Sequence, residues 1–176
     1  GPVSPALVRE WKMAEPDDPR RDASICYVPS ELPDYDRAEG WEDWVQETDY
    51  INKKLTPIGG KANDGTIKLF SHLMYDNDAW TTNDKDINCT QDLVLLRYAD
   101  VLLMRSELYE DADKGMNEVR QRVGLPSVSY SLEALQNERR WEFAFEGLRY
   151  NDIRRWGQGG GQSNGYTEEV LSKQQN

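Results

Sequence analysis

The stretch Leu95-Leu96-Arg97-Tyr98-Ala99-Asp100-Val101-Leu102-Leu103-Met104-Arg105-Ser106-Glu107 lies inside a strongly apolar periodic segment of a 176-residue chain. Leu93, Leu96, Ala99, Leu103 and Leu108 fall close to one helical face, and Val94, Leu95, Tyr98, Val101 and Leu102 widen the apolar surface beyond a single stripe. The spacing predicts a helix over 92–110 that is packed on two sides. Working outward, 114–123 continues as a second helix, with Gly124 at a C′ position and Pro126 soon after. Ser131 caps a third helix running through 146, Gly147 breaks it, and 148–156 forms a further helix stopped by Gly157. Consecutive helices of this length read as tetratricopeptide-like helix pairs, so the fold class is mainly α. Residues 158–165 are rich in Gly, Ser and Asn and read as a flexible linker to a C-terminal tail ending at 176. They lack the Lys-Ser/Thr ending of a phosphate loop.

Upstream the patterning is weaker. Residues 4–15 read as a short amphipathic helix, with Ser4 as cap, Pro5 at the first helical position and Leu7, Val8 and Trp11 on one side. Glu15-Pro16-Asp17-Asp18-Pro19 ends it, because proline cannot donate in a helical ladder. Residues 24–28 and 66–69 read as short strands of β-hairpins, and Asn63-Asp64-Gly65 as a turn. Pro29, Pro33, Pro57 and Gly59-Gly60 keep the remainder irregular. The chain therefore divides into a loop-rich region at 1–90, a helical core at 91–157 and a linker with tail at 158–176.

Composition narrows the function. A net charge of -11 argues against nucleic-acid partners, which need clustered cations to replace counterions, and against docking on an anionic membrane through the protein's own charge. The acidic excess sits mainly in residues 1–90, which hold 10 basic and 18 acidic side chains. A structural calcium ion among those carboxylates is the one cofactor weighed, although the regular Asp/Asn/Gly spacing of a dedicated loop is missing. Cys26 and Cys89 are compatible with one disulfide or two free thiols. No run approaches the roughly 18 apolar residues that span a bilayer.

Catalytic constellations are poorly supported. The single histidine, His72, has no Gly-x-Ser-x-Gly elbow with it. One histidine and two distant cysteines do not make a zinc site. Binding chemistry is better represented in the irregular region. Sugars present apolar C–H faces and many hydroxyls, so their sites pair aromatic platforms with carboxylates and amides. Trp41, Trp44, Tyr50, Tyr75, Asp76, Asn77, Asp78, Trp80 and Asn83 have that makeup. Trp80 is the preferred platform, since polar residues flank it and no apolar periodicity claims it.

The block at 95–107, followed by Asn117-Glu118-Val119-Arg120-Gln121-Arg122-Val123-Gly124-Leu125 and by Glu138-Arg139-Arg140-Trp141-Glu142-Phe143-Ala144-Phe145-Glu146-Gly147-Leu148-Arg149-Tyr150-Asn151-Asp152-Ile153-Arg154-Arg155-Trp156-Gly157, resembles the C-terminal region of the SusD/RagB family. Asp18-Pro19-Arg20-Arg21-Asp22 and Tyr50-Ile51-Asn52-Lys53-Lys54 are weaker echoes upstream. The resemblance implies a non-catalytic, surface-exposed lipoprotein of the outer membrane. Its members hold oligosaccharide or polysaccharide over a SusC-like TonB-dependent transporter, while RagB-type relatives point to peptides. A helical-repeat module that only docks the transporter is the rival reading. Family members are longer and lipid-anchored at an N-terminus this stretch does not contain, so the chain is expected to be a fragment. Within the last block the charges are expected to pair locally, Arg139 with Glu142, Glu142 and Glu146 with Arg149, and Arg149 with Asp152.

Overall fold

A computed structural model describes residues 3–31, 48–54, 59–61, 67–69, 94–159 and 162–173. The fold is mainly helical. Helix α1 spans Pro5–Ala14 and α2 spans Pro19–Ser24. Strand β1, Ile25–Tyr27, leads into the single turn α3, Val28–Glu31, and pairs antiparallel with β2, Tyr50–Asn52. Strands β3, Gly59–Lys61, and β4, Ile67–Leu69, form a second antiparallel pair. Helix α4, Tyr98–Tyr109, is followed by a π-helical turn at Ala112–Met116 and by α5, Asn117–Arg122. Helices α6, Leu132–Glu142, and α7, Arg149–Trp156, complete the core. A minimal ribbon of β5, Gln158–Gly159, and β6, Gln162–Ser163, precedes α8, Tyr166–Lys173.

Local chemistry sets most of the boundaries. Ser131 Oγ accepts the Ala134 N–H at 3.0 Å and starts α6 as its sequence position predicts. Gly124, at φ 77°, follows α5, with Gly124 N–H on the Gln121 carbonyl and Leu125 N–H on the Arg120 carbonyl, both at 3.0 Å. That pair of bonds is a Schellman ending. Ser4 precedes α1 in extended geometry but its hydroxyl caps nothing, and Pro5 at the first position does the work of starting the helix. Gly115 permits a close approach: a Cβ there would lie 2.2 Å from Ser106 Oγ and 2.5 Å from the Leu102 carbonyl. The same Ser106 Oγ accepts the Met116 N–H at 2.7 Å, tying α4 to the turn that follows it.

Five expectations are corrected. Helix α4 begins at Tyr98, and residues 94–97 are not helical. The reason is Arg97, whose guanidinium is drawn away to Glu142 and Glu146 and fixes its backbone at φ -117°, ψ 157°. Helix α4 is also not covered on two sides: Tyr98 and Leu108 are 72% and 81% exposed, and Val101 also faces outward. Helix α6 ends at Glu142, four residues early, because the following turn carries Phe145 at φ 67°. Tyr50–Asn52 and Gly59–Lys61, read as irregular, are strands, and the tail contains helix α8. The Asn63-Asp64-Gly65 turn, His72 and Cys89 lie outside the described residues.

Two apolar clusters form the core. One gathers Leu103, Met116, Val119, Leu135 and Phe143, and the other Val3, Trp11, Ile25, Trp141 and Ala144. Trp11 stacks on Trp141 with ring centres 5.1 Å apart. Helix α6 supplies both clusters, and along it runs a buried ionic lattice. Arg20 bonds Asp18 at 2.8 Å, Glu138 at 2.5 Å and Glu142 at 3.0 Å. Arg120 joins Glu138 at 3.0 Å to Glu15 at 2.6 Å. Glu142 also receives Arg97 at 2.9 Å and Arg122 at 2.7 Å. Further along, Arg139 bridges Asp100 at 2.6 Å and Asp152 at 2.8 Å, and Phe143 lies beneath both Arg97 and Arg139. The local pairs expected within 138–157 do not form. Glu142 and Glu146 go instead to Arg20, Arg97, Arg122 and Lys54, Asp152 goes to Arg139 and to its neighbour Arg155, and Arg149 has no ion pair among the described residues.

Removing one member of this lattice strands the other charges in the interior. Arg20→Met is expected to destabilise by about 3–5 kcal/mol in urea denaturation. Arg122→Ala, whose side chain is 56% exposed, is expected to cost less than about 1 kcal/mol. Equal losses for the two would place the stabilisation outside the buried pairs.

Candidate functional site

Of the nine aromatic and polar residues put forward from sequence, Tyr50 is within the described residues. Trp41, Trp44, Tyr75, Asp76, Asn77, Asp78, Trp80 and Asn83 lie outside them. Tyr50 sits on β2, and the register of the ribbon places it directly opposite Tyr27 of β1. Cys26 and Ile51, the next pair, are both buried, so the alternation of the strands turns Tyr27 and Tyr50 to the other face. The two rings lie 5.1 Å apart at a tilt of 37°. Tyr27 is exposed, whereas Tyr50 is half-buried against the cluster of Val3 and Trp11.

The ribbon is pinned from several sides. Val3 N–H donates to the Tyr50 carbonyl at 2.9 Å, Val28 N–H to Asp49 at 3.0 Å and Lys53 N–H to Ser24 at 2.8 Å. Glu31 accepts the Tyr27 N–H at 3.0 Å and pairs with Lys53 at 2.5 Å. Lys54, three residues past Ile51 on the chain, reaches inward to Glu146 at 2.7 Å and to the Glu142 carbonyl at 2.9 Å. Burial pushes the Lys54 ammonium below its ordinary range, although Glu146 opposes that shift. The face thus offers two adjacent phenol rings bordered by a carboxylate and an ammonium on a backbone fixed from behind. Such a surface takes a ligand with apolar C–H faces and hydroxyls. Sequence reasoning missed Tyr27. The signal was there: it precedes Val28-Pro29 at the end of an expected strand, two residues after Ile25.

The interior carboxylates serve a different end. Burial disfavours the charge on Asp18, but hydrogen bonds from Arg20 and from the Trp11 indole at 2.9 Å outweigh it and hold the carboxyl below its ordinary range. Burial likewise opposes charge on Glu142, and Arg97 and Arg20 overcome it. Carboxyls held ionised in this way are poor proton donors at neutral pH. The Cys26 thiol is free, and burial, reinforced by Glu31, pushes it up to about 12. It therefore stays protonated and is not a nucleophile. Among the described residues no cluster of His, Cys, Asp and Glu is arranged to hold a metal ion, and no helix is long and apolar enough to cross a membrane.

A family model described as the SusD family covers residues 9–176. No curated protein and no solved structure matches the chain.

The lowered carboxyls make stability depend on pH in a defined direction. Their folded values lie below the ordinary 3.8 of Asp and 4.5 of Glu, so the stabilisation is complete above those values. It is lost as pH falls through the lowered folded values. Melting temperature is expected to be level from about pH 7 to 5 and to fall steeply below about pH 4.5. In Glu142→Gln the melting temperature should start lower and its decline below pH 4.5 should be shallower, as scanning calorimetry across the series will show.

Proposed function

Because the chain belongs to the SusD family, we propose that it captures oligosaccharide or polysaccharide nutrients at the cell surface and presents them to a TonB-dependent outer-membrane transporter without altering them chemically. The observation that carries this reading is the family match across residues 9–176, which includes both the helical core and the ribbon bearing Tyr50. Family members are surface nutrient-binding proteins. Lipid anchorage at the outer membrane and a SusC-like partner belong to the same proposal.

The physical arrangement supports binding over turnover. Asp18, Glu138 and Glu142 are all enclosed and engaged by arginines, so they act as fixed counter-charges. In this proposal the sugar contacts fall on Tyr27 and Tyr50, together with Trp41, Trp44, Tyr75, Asp76, Asn77, Asp78, Trp80 and Asn83 from the neighbouring sequence. Aromatic faces contribute contact area, and the Asp and Asn side chains take the hydroxyls. A second reading, that the helices serve mainly as a protein-docking module, is favoured by one observation: Leu95, Tyr98, Val101 and Leu108 expose apolar surface along one helix and its approach.

A panel of polysaccharides and oligosaccharides titrated calorimetrically into the full-length protein separates the two. Saturable binding of at least one glycan is expected. Tyr27→Ala and Trp80→Ala are each expected to weaken it about 3- to 10-fold without changing the melting temperature, in line with aromatic contacts of about 0.5–1.5 kcal/mol. Binding of none of the glycans, together with transporter binding that is lost in Leu108→Asp, would leave docking as the function.

A further inference from the structure

A cavity of about 410 Å³ opens between the start of α1 and the turn that joins α6 to α7, and neither Tyr27 nor Tyr50 lines it. Its walls include Val3, Leu7, Ala144 and Phe145. Three cations, Arg140, Arg149 and Lys173, reach its edge against the single carboxylate of Glu10. In a chain of net charge -11 this is a local reversal of sign. A neighbouring cavity of about 280 Å³ shares Glu10, Arg140, Arg149 and Lys173, so these four side chains form the partition between two compartments.

Two independent features converge on the larger cavity. The first is Arg149. Its Nε and Nη1 are shielded from solvent and neither has a hydrogen-bond partner among the described residues, although the guanidinium interacts with Tyr166. The acids that sequence spacing would give it are taken: Asp152 by Arg139 and Arg155, Glu146 by Lys54 and Arg97. Buried donors of a charged group left unpaired are costly, and native folds seldom keep them without a use. Burial, with Arg140 acting in the same direction, lowers the affinity of Arg149 for its proton, and Tyr166 and Asp152 only partly oppose this. The second feature is Phe145, whose φ of 67° is strained for a bulky side chain and which lines the same cavity. Strain of this kind persists where the surroundings enforce it and gathers at ligand clamps.

We propose that this cavity binds a small organic carboxylate, its anionic head on Arg149 and its body against Phe145, Leu7 and Val3. The fork of guanidinium N–H groups matches the two oxygens of a carboxylate. The apolar walls accept either an aromatic ring or the C–H face of a sugar, so an aryl carboxylate and a hexuronate share the required chemistry. The remaining cations already have partners, Arg140 with Glu10 and Lys173 with Glu169. The Glu10, Lys173 and Glu169 side chains are largely exposed, and surface pairs of this kind hold weakly, so the rim parts at little cost when the ligand enters. The site touches the tyrosine ribbon only through Val3 and does not rest on the glycan-capture reading.

The test titrates the full chain with phenylacetate and glucuronate, each beside its uncharged counterpart, phenylacetamide and glucose. At least one acid is expected to bind at least about tenfold more tightly than its neutral counterpart, as charge-assisted bonds to arginine require. Arg149→Gln is expected to remove that preference. Because Arg149 is interior, circular dichroism must first show the variant folded. The acid-versus-neutral comparison on the unaltered chain stands without it. Equal binding of acid and neutral forms for both pairs, absence of saturable binding by either acid, or an undiminished preference in folded Arg149→Gln would each overturn the proposal.

Discussion

The guanidinium of Arg20 joins parts of the chain that are 118 and 122 residues apart, and the rest of the fold is arranged around that junction. Asp18 orients it from the start of α2, where the same carboxylate caps the helix through the Arg20 N–H at 2.9 Å and holds the Trp11 indole. Glu138 and Glu142 receive it one helical turn apart on α6. Every one of these groups is enclosed, and enclosing ions is favourable only when all their partners are in place. Closing such long loops brings no return until both ends are folded. The N-terminal helices and the helical core are therefore bound into one cooperative unit by charge as much as by the Trp11–Trp141 stack.

That junction explains which parts of the fold were legible in the sequence. Ser131, Gly124 and Gly157 mark helix ends by local chemistry, and the structure uses them as read. Helix α4 was placed six residues too early because apolar spacing at 92–97 looks helical when Arg97 is treated as one more surface charge. Its true partners, Glu142 and Glu146, are 45 and 49 residues away. The same limitation affected the last block. Arginines and acids at three- and four-residue spacing suggested local pairs, but Glu142 and Glu146 are held by cations from other elements, and Asp152 is shared between Arg139 and Arg155.

The candidate sites show the same division. Tyr50 stood out as an aromatic in an irregular region, while Tyr27, at the end of an expected strand, acquires its place beside Tyr50 through the pairing of β1 with β2. The register of a two-strand ribbon depends on backbone bonds that no side-chain pattern announces, particularly when the intervening loop is long. Arg149 was legible as a charge and was assigned to neighbours that other arginines had already taken. Its isolation is a property of the whole lattice and could not be read from its own surroundings in sequence.

The contact between Gly115 and Ser106 has a corollary for substitution. With the Leu102 carbonyl also within 2.5 Å of where a Cβ would stand, any larger residue at 115 displaces backbone as well as the serine hydroxyl. A shorter side chain at 106 cannot by itself make room. A larger residue at 115 is therefore compatible with this fold only if the spacing between α4 and its following turn changes first, whatever stands at 106.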